Sequence, residues 1–302
     1  MEVLRFGSRG SAVVYLQSLL GIKEDGHFGK KTGLAVVEFQ EGQGLMGDGI
    51  VGVSTWKMLG VPSKMSGEDL DSDNNSYVTG NDLLVNKYYL PKGEYIKEGN
   101  KPEYCFLHHT AGRENPYKVV DSWGRDDRGR VGTEFVLGGQ SHTSGIKDYD
   151  GELVQCFAKG GFAYHLGKVG SRHMKMSSVG IEICSMGYLD SSNKTYVGSK
   201  CLSSQTCKLS EPFKGYVYWH RYSEKQIEIL GKWIKYIGER DGIDMRVGLQ
   251  EWIKKYGPTK AFGFHQDAYE GKVKGLLTHT NVRKDKWDCY PDPNLVDMIM
   301  SI

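Results

Sequence analysis

The sequence predicts two folded parts of different class: a small all-α unit of three helices at the N-terminus, and an α/β domain with a mixed β-sheet flanked by helices. A motif repeats 23 residues apart within the first sixty; a Ser/Asp/Asn/Gly-rich stretch with scarcely an apolar residue follows it; and beyond Leu83 short apolar runs interleave with helical periodicity. The expected boundaries are 1–61 for the small unit, 62–82 for an acidic flexible linker and 83–302 for the α/β domain. At 302 residues, 39% hydrophobic and 25% charged, the chain can bury packed cores, which argues against wholesale disorder and against a collagen-like or coiled-coil rod.

In the small unit Asp25-Gly26-His27-Phe28-Gly29-Lys30-Lys31-Thr32 recurs as Asp48-Gly49-Ile50-Val51-Gly52-Val53-Ser54-Thr55. Asp-Gly favours a tight turn, the second glycine of each copy permits an unusual backbone angle, and Thr32 or Thr55 can start the helix that follows. Leu34 and Val37 mark one of these helices, and Trp56 and Leu59 the other. Ahead of them Val13, Leu16, Gln17 and Leu20 keep helical spacing behind Ser11, read as a cap.

The linker reading rests on the run Ser66-Gly67-Glu68-Asp69-Leu70-Asp71-Ser72-Asp73. Its aspartates are out of register for an EF-hand calcium loop, so a solvated tether is the stronger reading. Charge divides along the same lines. Residues 1–60 carry six basic and six acidic groups, 61–82 one and five, and 83–302 carry 32 and 26, so the formal total of +2 hides −4 in the linker and +6 beyond it. A diffuse excess of this size suits an anionic polymer and lacks the clustered stripe of a nucleic-acid binder.

In the α/β part, Tyr104-Cys105-Phe106-Leu107, Glu134-Phe135-Val136-Leu137, Leu153-Val154-Gln155-Cys156-Phe157 and Val179-Gly180-Ile181-Glu182-Ile183 read as strands. Asn115-Pro116 opens a helix in cap-then-proline order. A longer helix starts at Ser223, with Gln226 completing a capping box, and runs through Ile227, Leu230, Trp233, Ile234 and Ile237 to Gly242. No apolar window spans a bilayer, and the first residues show no secretory signal. Of the six cysteines only Cys201 and Cys207 lie close together, in a polar loop where a disulfide and two free thiols are equally credible, and no Cys-x-x-Cys pair exists for a four-thiolate zinc site.

Among nine histidines, position and company must decide. His108 ends an apolar strand, and His279 lies shortly before Lys286, Asp288 and Cys289. His109, its neighbour on the strand, should point to the opposite face. His165 is a candidate for lining a cleft, and His265 is the main competitor to His279.

Two resemblances draw these features together. Leu4-x-x-Gly7-x-x-Gly10-x-x-Val13-x-x-Leu16-Gln17 with the two Asp-Gly copies resembles the helical peptidoglycan-binding domain found beside wall hydrolases, over nearly all of residues 2–60. Leu107-His108-His109-Thr110-Ala111-Gly112, His279-Thr280-Asn281-Val282-Arg283 and Lys286-Trp287-Asp288 resemble the ligand motifs of zinc-dependent N-acetylmuramoyl-L-alanine amidases of the bacteriophage-lysin and peptidoglycan-recognition-protein type, with Gly132-Thr133-Glu134-Phe135 and Tyr164-His165-Leu166-Gly167 in family order. The resemblance implies Zn2+ held by His108, His279 and Asp288, with Glu182 as general base and Lys286 stabilising the transition state. Cys289-Tyr290-Pro291 replaces the family's usual Pro-Gly, so Cys289 competes with Asp288 as third ligand; the family's register favours Asp288. Glu134 is a rival base, and Glu182 has the alternative of a structural pair with an arginine.

The implied function is cleavage of the amide between N-acetylmuramic acid and L-alanine in peptidoglycan, by a modular enzyme with a wall anchor. Without a signal peptide it fits a phage endolysin made in the host cytoplasm and released to the wall. The alternatives are an inactive wall-binding or virion structural protein, and a zinc peptidase acting within the stem peptide.

Overall fold

The computed structural model describes residues 3–61 and 76–302, and the chain divides into two compact units, Met1–Tyr77 and Val78–Ile302. Most of the stretch expected as a linker, including the aspartates weighed as a calcium loop, lies outside the described residues.

In the first unit, helices α1 (Ser11–Leu19), α2 (Lys30–Gly42) and α3 (Val53–Met58) enclose a core of Leu4, Val13, Leu16, Phe28, Val36, Val51 and Trp56. The sequence echo is a repeated polar clamp. Gln17 Nε2 donates to Asp25 Oδ1 at 2.9 Å and Thr32 Oγ1 at 3.0 Å, while its Oε1 accepts from the Gly26 N–H at 2.9 Å. Gln40 repeats the pattern with Asp48 (2.9 Å), Thr55 (3.1 Å) and Gly49 (2.9 Å). Both glutamines are buried, so the amide must be satisfied internally.

This clamp corrects several expectations. The positive φ belongs to the first glycine of each copy, Gly26 at 66° and Gly49 at 72°, where the Asp-Gly turn aims its N–H at the glutamine. Gly29 and Gly52 are extended and cap α2 and α3, and Gly10 caps α1, so Ser11, Thr32 and Thr55 lie inside the helices. Helix α2 turns Thr32, Val36 and Gln40 inward and leaves Leu34 exposed, because the clamp residues share that face.

From residue 77 onward the chain forms β1 (Tyr77–Val78), β2 (Leu84–Lys87), β3 (Tyr104–His109), β4 (Phe135–Leu137), β5 (Leu153–Gln155), β6 (Ser178–Ile183), β7 (Tyr188–Leu189), β8 (Thr206–Phe213), β9 (Tyr216–His220) and β10 (Leu276–Thr278). Seven of them form one sheet in the order β1-β2-β5-β4-β6-β3-β10. Strands β4, β6, β3 and β10 run parallel and β5 is antiparallel to β4, so the sheet is mixed. The end of the expected linker belongs to the sheet, since β1 forms the sheet edge and the Asn81 amide donates to the Lys232 carbonyl at 2.9 Å.

Helix Glu224–Asp241 covers one face. Ser223 and Gln226 make the capping box, Gly242 closes the helix with a left-handed φ of 71°, and Leu230, Trp233, Ile234 and Ile237 are buried, with Trp233 meeting Phe135 edge-on at 5.6 Å. Tyr104, Phe106, Leu166, Met174, Ala268, Leu277 and Val282 form a separate core cluster. The small antiparallel sheet β7-β9-β8 was not legible as strands, because β8 carries Lys208, Ser210 and Glu211 on exposed positions in an irregular pattern. Cys201 and Cys207 precede and open β8 as free, buried thiols. Among the described residues no helix is long and apolar enough to cross a membrane.

Candidate metal centre

Strands β3, β6 and β10 are parallel neighbours or next neighbours, so their carboxyl ends open on the same edge of the sheet, where α/β folds place their ligands. His108 is the penultimate residue of β3; His279 follows β10 directly and opens the helical turn His279–Val282; and the chain returns to bring Asp288 beside them, its carbonyl accepting from the Thr280 N–H at 3.1 Å. His108 Nδ1 lies 3.1 Å from His279 Nδ1 and 3.1 Å from Asp288 Oδ2, and His279 Nδ1 lies 2.9 Å from the same oxygen. Three donor atoms with such spacing suit one small divalent ion, because tetrahedral ligands about 2.0–2.1 Å from zinc stand roughly 3.3 Å apart.

The second nitrogen of each imidazole is already engaged. His279 Nε2 faces the Leu166 carbonyl at 3.4 Å, which requires the proton there and leaves the Nδ1 lone pair for a metal. His108 Nε2 meets His165 Nδ1 at 2.9 Å, and His165 Nε2 meets Ser178 Oγ at 2.9 Å. A proton donated from each Nε2 along this chain again leaves His108 Nδ1 free, the outer-sphere arrangement that orients histidine ligands. Burial, with His279 adding to it, pushes the His108 imidazole down to about 4. Burial alone would raise the Asp288 carboxyl, but His279 and His108 hold it well below the usual carboxylate range. A neutral His108 imidazole beside an ionised carboxylate fits the protonation states metal binding requires.

His165 supports the His108 ring, a part that its expected place in the cleft does not specify. Its signal lies in Gly180: a Cβ there would stand 3.0 Å from Thr133 and 3.1 Å from the His165 ring, and a glycine inside a strand marks such a close approach.

Glu182 is paired in register with His108 across β3 and β6. Its Oε2 is buried without a hydrogen-bond partner, and burial, with the Asp288 charge adding to it, raises its pKa well above the ordinary value while Lys286 opposes the shift. Lys286 is half-buried and makes no ion pair among the described residues. The arginine pairing weighed for Glu182 is made by Glu134, which binds Arg240 through two hydrogen bonds of 2.6 and 3.0 Å and accepts another from Gln155. Cys289 is fully buried beside Tyr222 and stands outside the donor cluster. His109 faces away, bonded to the Tyr222 hydroxyl at 2.9 Å, and His265 stacks on Trp252 at 3.8 Å.

Residues 98–288 match the family model of N-acetylmuramoyl-L-alanine amidases, well over half of the chain. The chain belongs to this family. Residues 11–59 match the model of a peptidoglycan binding domain. Among solved structures this amidase-family chain is similar to the Burkholderia AP3 phage endolysin, at 40% identity over 20% of this chain and 25% of that one, with a TM-score of 0.20. It is also similar to a fused zinc-dependent amidase/peptidase/peptidoglycan-binding protein from Clostridium acetobutylicum, at 30% identity over 23% and 37% of the two chains, TM-score 0.19. A third, PlyL, is 11% identical over 65% of this chain and 82% of that one, TM-score 0.35. The first two matches span 25% and 37% of those chains, well under two thirds.

Proposed function

We propose that this chain hydrolyses the amide between the lactyl group of N-acetylmuramic acid and L-alanine in peptidoglycan, with zinc held by His108, His279 and Asp288. The observation that carries this reading is the convergence of those three donors at the sheet edge, next to a carboxylate whose oxygen has no partner. When bound, zinc supplies Lewis acidity that makes water nucleophilic near neutral pH and polarises a carbonyl.

The remaining steps fall to the chain's own groups. Glu182, with its raised proton affinity, takes the proton of the attacking water and returns it to the departing alanine nitrogen, so that the C–N bond breaks to a carboxylic acid and a free amine. Lys286, without a carboxylate partner among the described residues, offers its ammonium to the negative charge that develops on the carbonyl oxygen. His165 and Ser178 orient the His108 ring. The first unit acts as a wall anchor that raises the local substrate concentration, as in an endolysin.

Mass spectrometry of purified walls digested with and without added zinc tests bond and metal together. New N-termini on L-alanine, appearing only with the metal, are expected. New N-termini on D-amino acids or bridge residues would turn the reading into a stem-peptide peptidase. Lysis that persists after chelation and in both His108→Ala and Asp288→Ala would remove the zinc mechanism.

A further inference from the structure

Between β6 and helix Glu224–Asp241 the chain makes an excursion through β7, β8 and β9, and this excursion brings a group of aromatic side chains to the rim of the metal centre. Tyr188, six residues beyond Glu182, stacks on Tyr216 with ring centroids 4.0 Å apart and planes at 22°. Trp287, the residue between Lys286 and Asp288, leans on Tyr188 at 6.1 Å and 48°, and it remains 41% exposed. The excursion is fastened on both sides of the centre. Lys214, at the turn joining β8 and β9, donates from Nζ to the Lys284 carbonyl at 2.9 Å, and the Tyr196 hydroxyl donates to the Ala111 carbonyl, just past the end of β3, at 2.8 Å.

An exposed indole, backed by a tyrosine stack on an excursion that two hydrogen bonds hold in place, presents apolar area that the fold itself does not bury. The faces of the rings themselves carry no cation: among the described residues none sits over Tyr188, Tyr216 or Trp287, and the Lys214 amine is directed at a carbonyl. A pyranose ring offers a flat face of C–H bonds, which packs against the electron-rich face of an aromatic ring.

We infer that Trp287, backed by Tyr188, is a sugar-stacking subsite that receives an N-acetylhexosamine ring of the glycan strand while the neighbouring lactyl amide lies at the His108/His279/Asp288 centre. This inference rests on the amidase reading given above. It assigns the glycan to the side of the centre bordered by β7 and the metal loop.

The test compares full-length wild type and Trp287→Ala on two substrates, a disaccharide-peptide and the corresponding D-lactyl-peptide that lacks both sugars. The ratio of kcat/KM for the first over the second is expected to fall about ten-fold in the variant, through KM, and to be largely restored in Trp287→Phe. A ratio that does not change, whether both substrates suffer equally or neither does, would overturn the subsite. A second arm needs no amide hydrolysis: full-length protein is titrated with the N-acetylglucosaminyl-N-acetylmuramic acid disaccharide and tryptophan emission is followed. Part of the emission change should vanish in Trp287→Phe, and an identical titration in both proteins overturns the inference. If wild type releases no amine from either substrate yet shows this Trp287-dependent signal, the amidase reading fails and the sugar subsite stands.

Discussion

The two ring nitrogens of His108 face different partners, one the donor cluster and the other His165. Replacing His165 with alanine removes the group that fixes the His108 tautomer, so zinc affinity is expected to fall by about 10- to 100-fold, read by competition with a chromogenic chelator. Glu182→Gln should do the reverse, slowing hydrolysis by about 10²- to 10⁴-fold while metal content measured by atomic spectrometry stays the same. A different buried histidine reports on stability. His220 accepts the Met186 N–H at 3.0 Å, and burial, with His142 and His109 nearby, pushes it down to about 3. The unfolded chain then binds a proton between pH 6.5 and about 3 that the folded chain rejects. The stability this group contributes is complete above pH 6.5 and declines on acidification through that window, by at most about 1.4 kcal/mol per pH unit. Denaturant titrations at several pH values should show a shallower slope in His220→Asn, whose amide oxygen can still accept from Met186.

At the scale of elements, the repeated glutamine clamp is the least expected feature, since in sequence Gln17 reads only as one of the helically spaced positions of the first helix. Each instead ties a helix to the Asp-Gly turn and to the first turn of the next helix. Gln17→Ala or Gln40→Ala leaves a buried threonine and the turn N–H short of partners and is expected to cost about 1–3 kcal/mol of the small unit's stability, measured by chemical denaturation. Helix Glu224–Asp241, by contrast, was legible to its ends, because capping box, apolar spacing and terminal glycine are local signals that agree with one another. Strands β3 and β6 were legible for a related reason: strands covered on both faces are continuous apolar runs. Strand β8 was not, because its face toward solvent and its irregular register break the period on which such reading depends.

On the scale of the whole molecule, the two units support a test of anchoring. Removing residues 1–75 keeps β1 and the Asn81 contact within the remaining chain. The fragment is expected to cleave soluble muropeptides at the full-length rate but to clear intact walls more slowly in a turbidity assay, and unchanged wall activity would remove the anchor role. The candidate site was legible in the sequence as residue types: His108, His279, Asp288, Glu182 and Lys286 stand in motifs whose chemistry can be named before any fold is known. Competition among them was not. Asp288 and Cys289 are adjacent, and only packing turns the carboxylate to the two imidazoles while the thiol goes to Tyr222. Glu134 and Glu182 both lie at strands, and only the approach of Arg240 from a distant helix consumes the first and leaves the second with an unpartnered oxygen. The sequence by itself determined the two fold classes, the main strands and helices, and the chemistry on offer, since propensity, capping and apolar period are short-range. The tertiary structure decided which donors share a point, which carboxylate is spent on an ion pair, and where His165 and Trp287 stand, since these are distances between residues far apart in the chain and no local pattern encodes them.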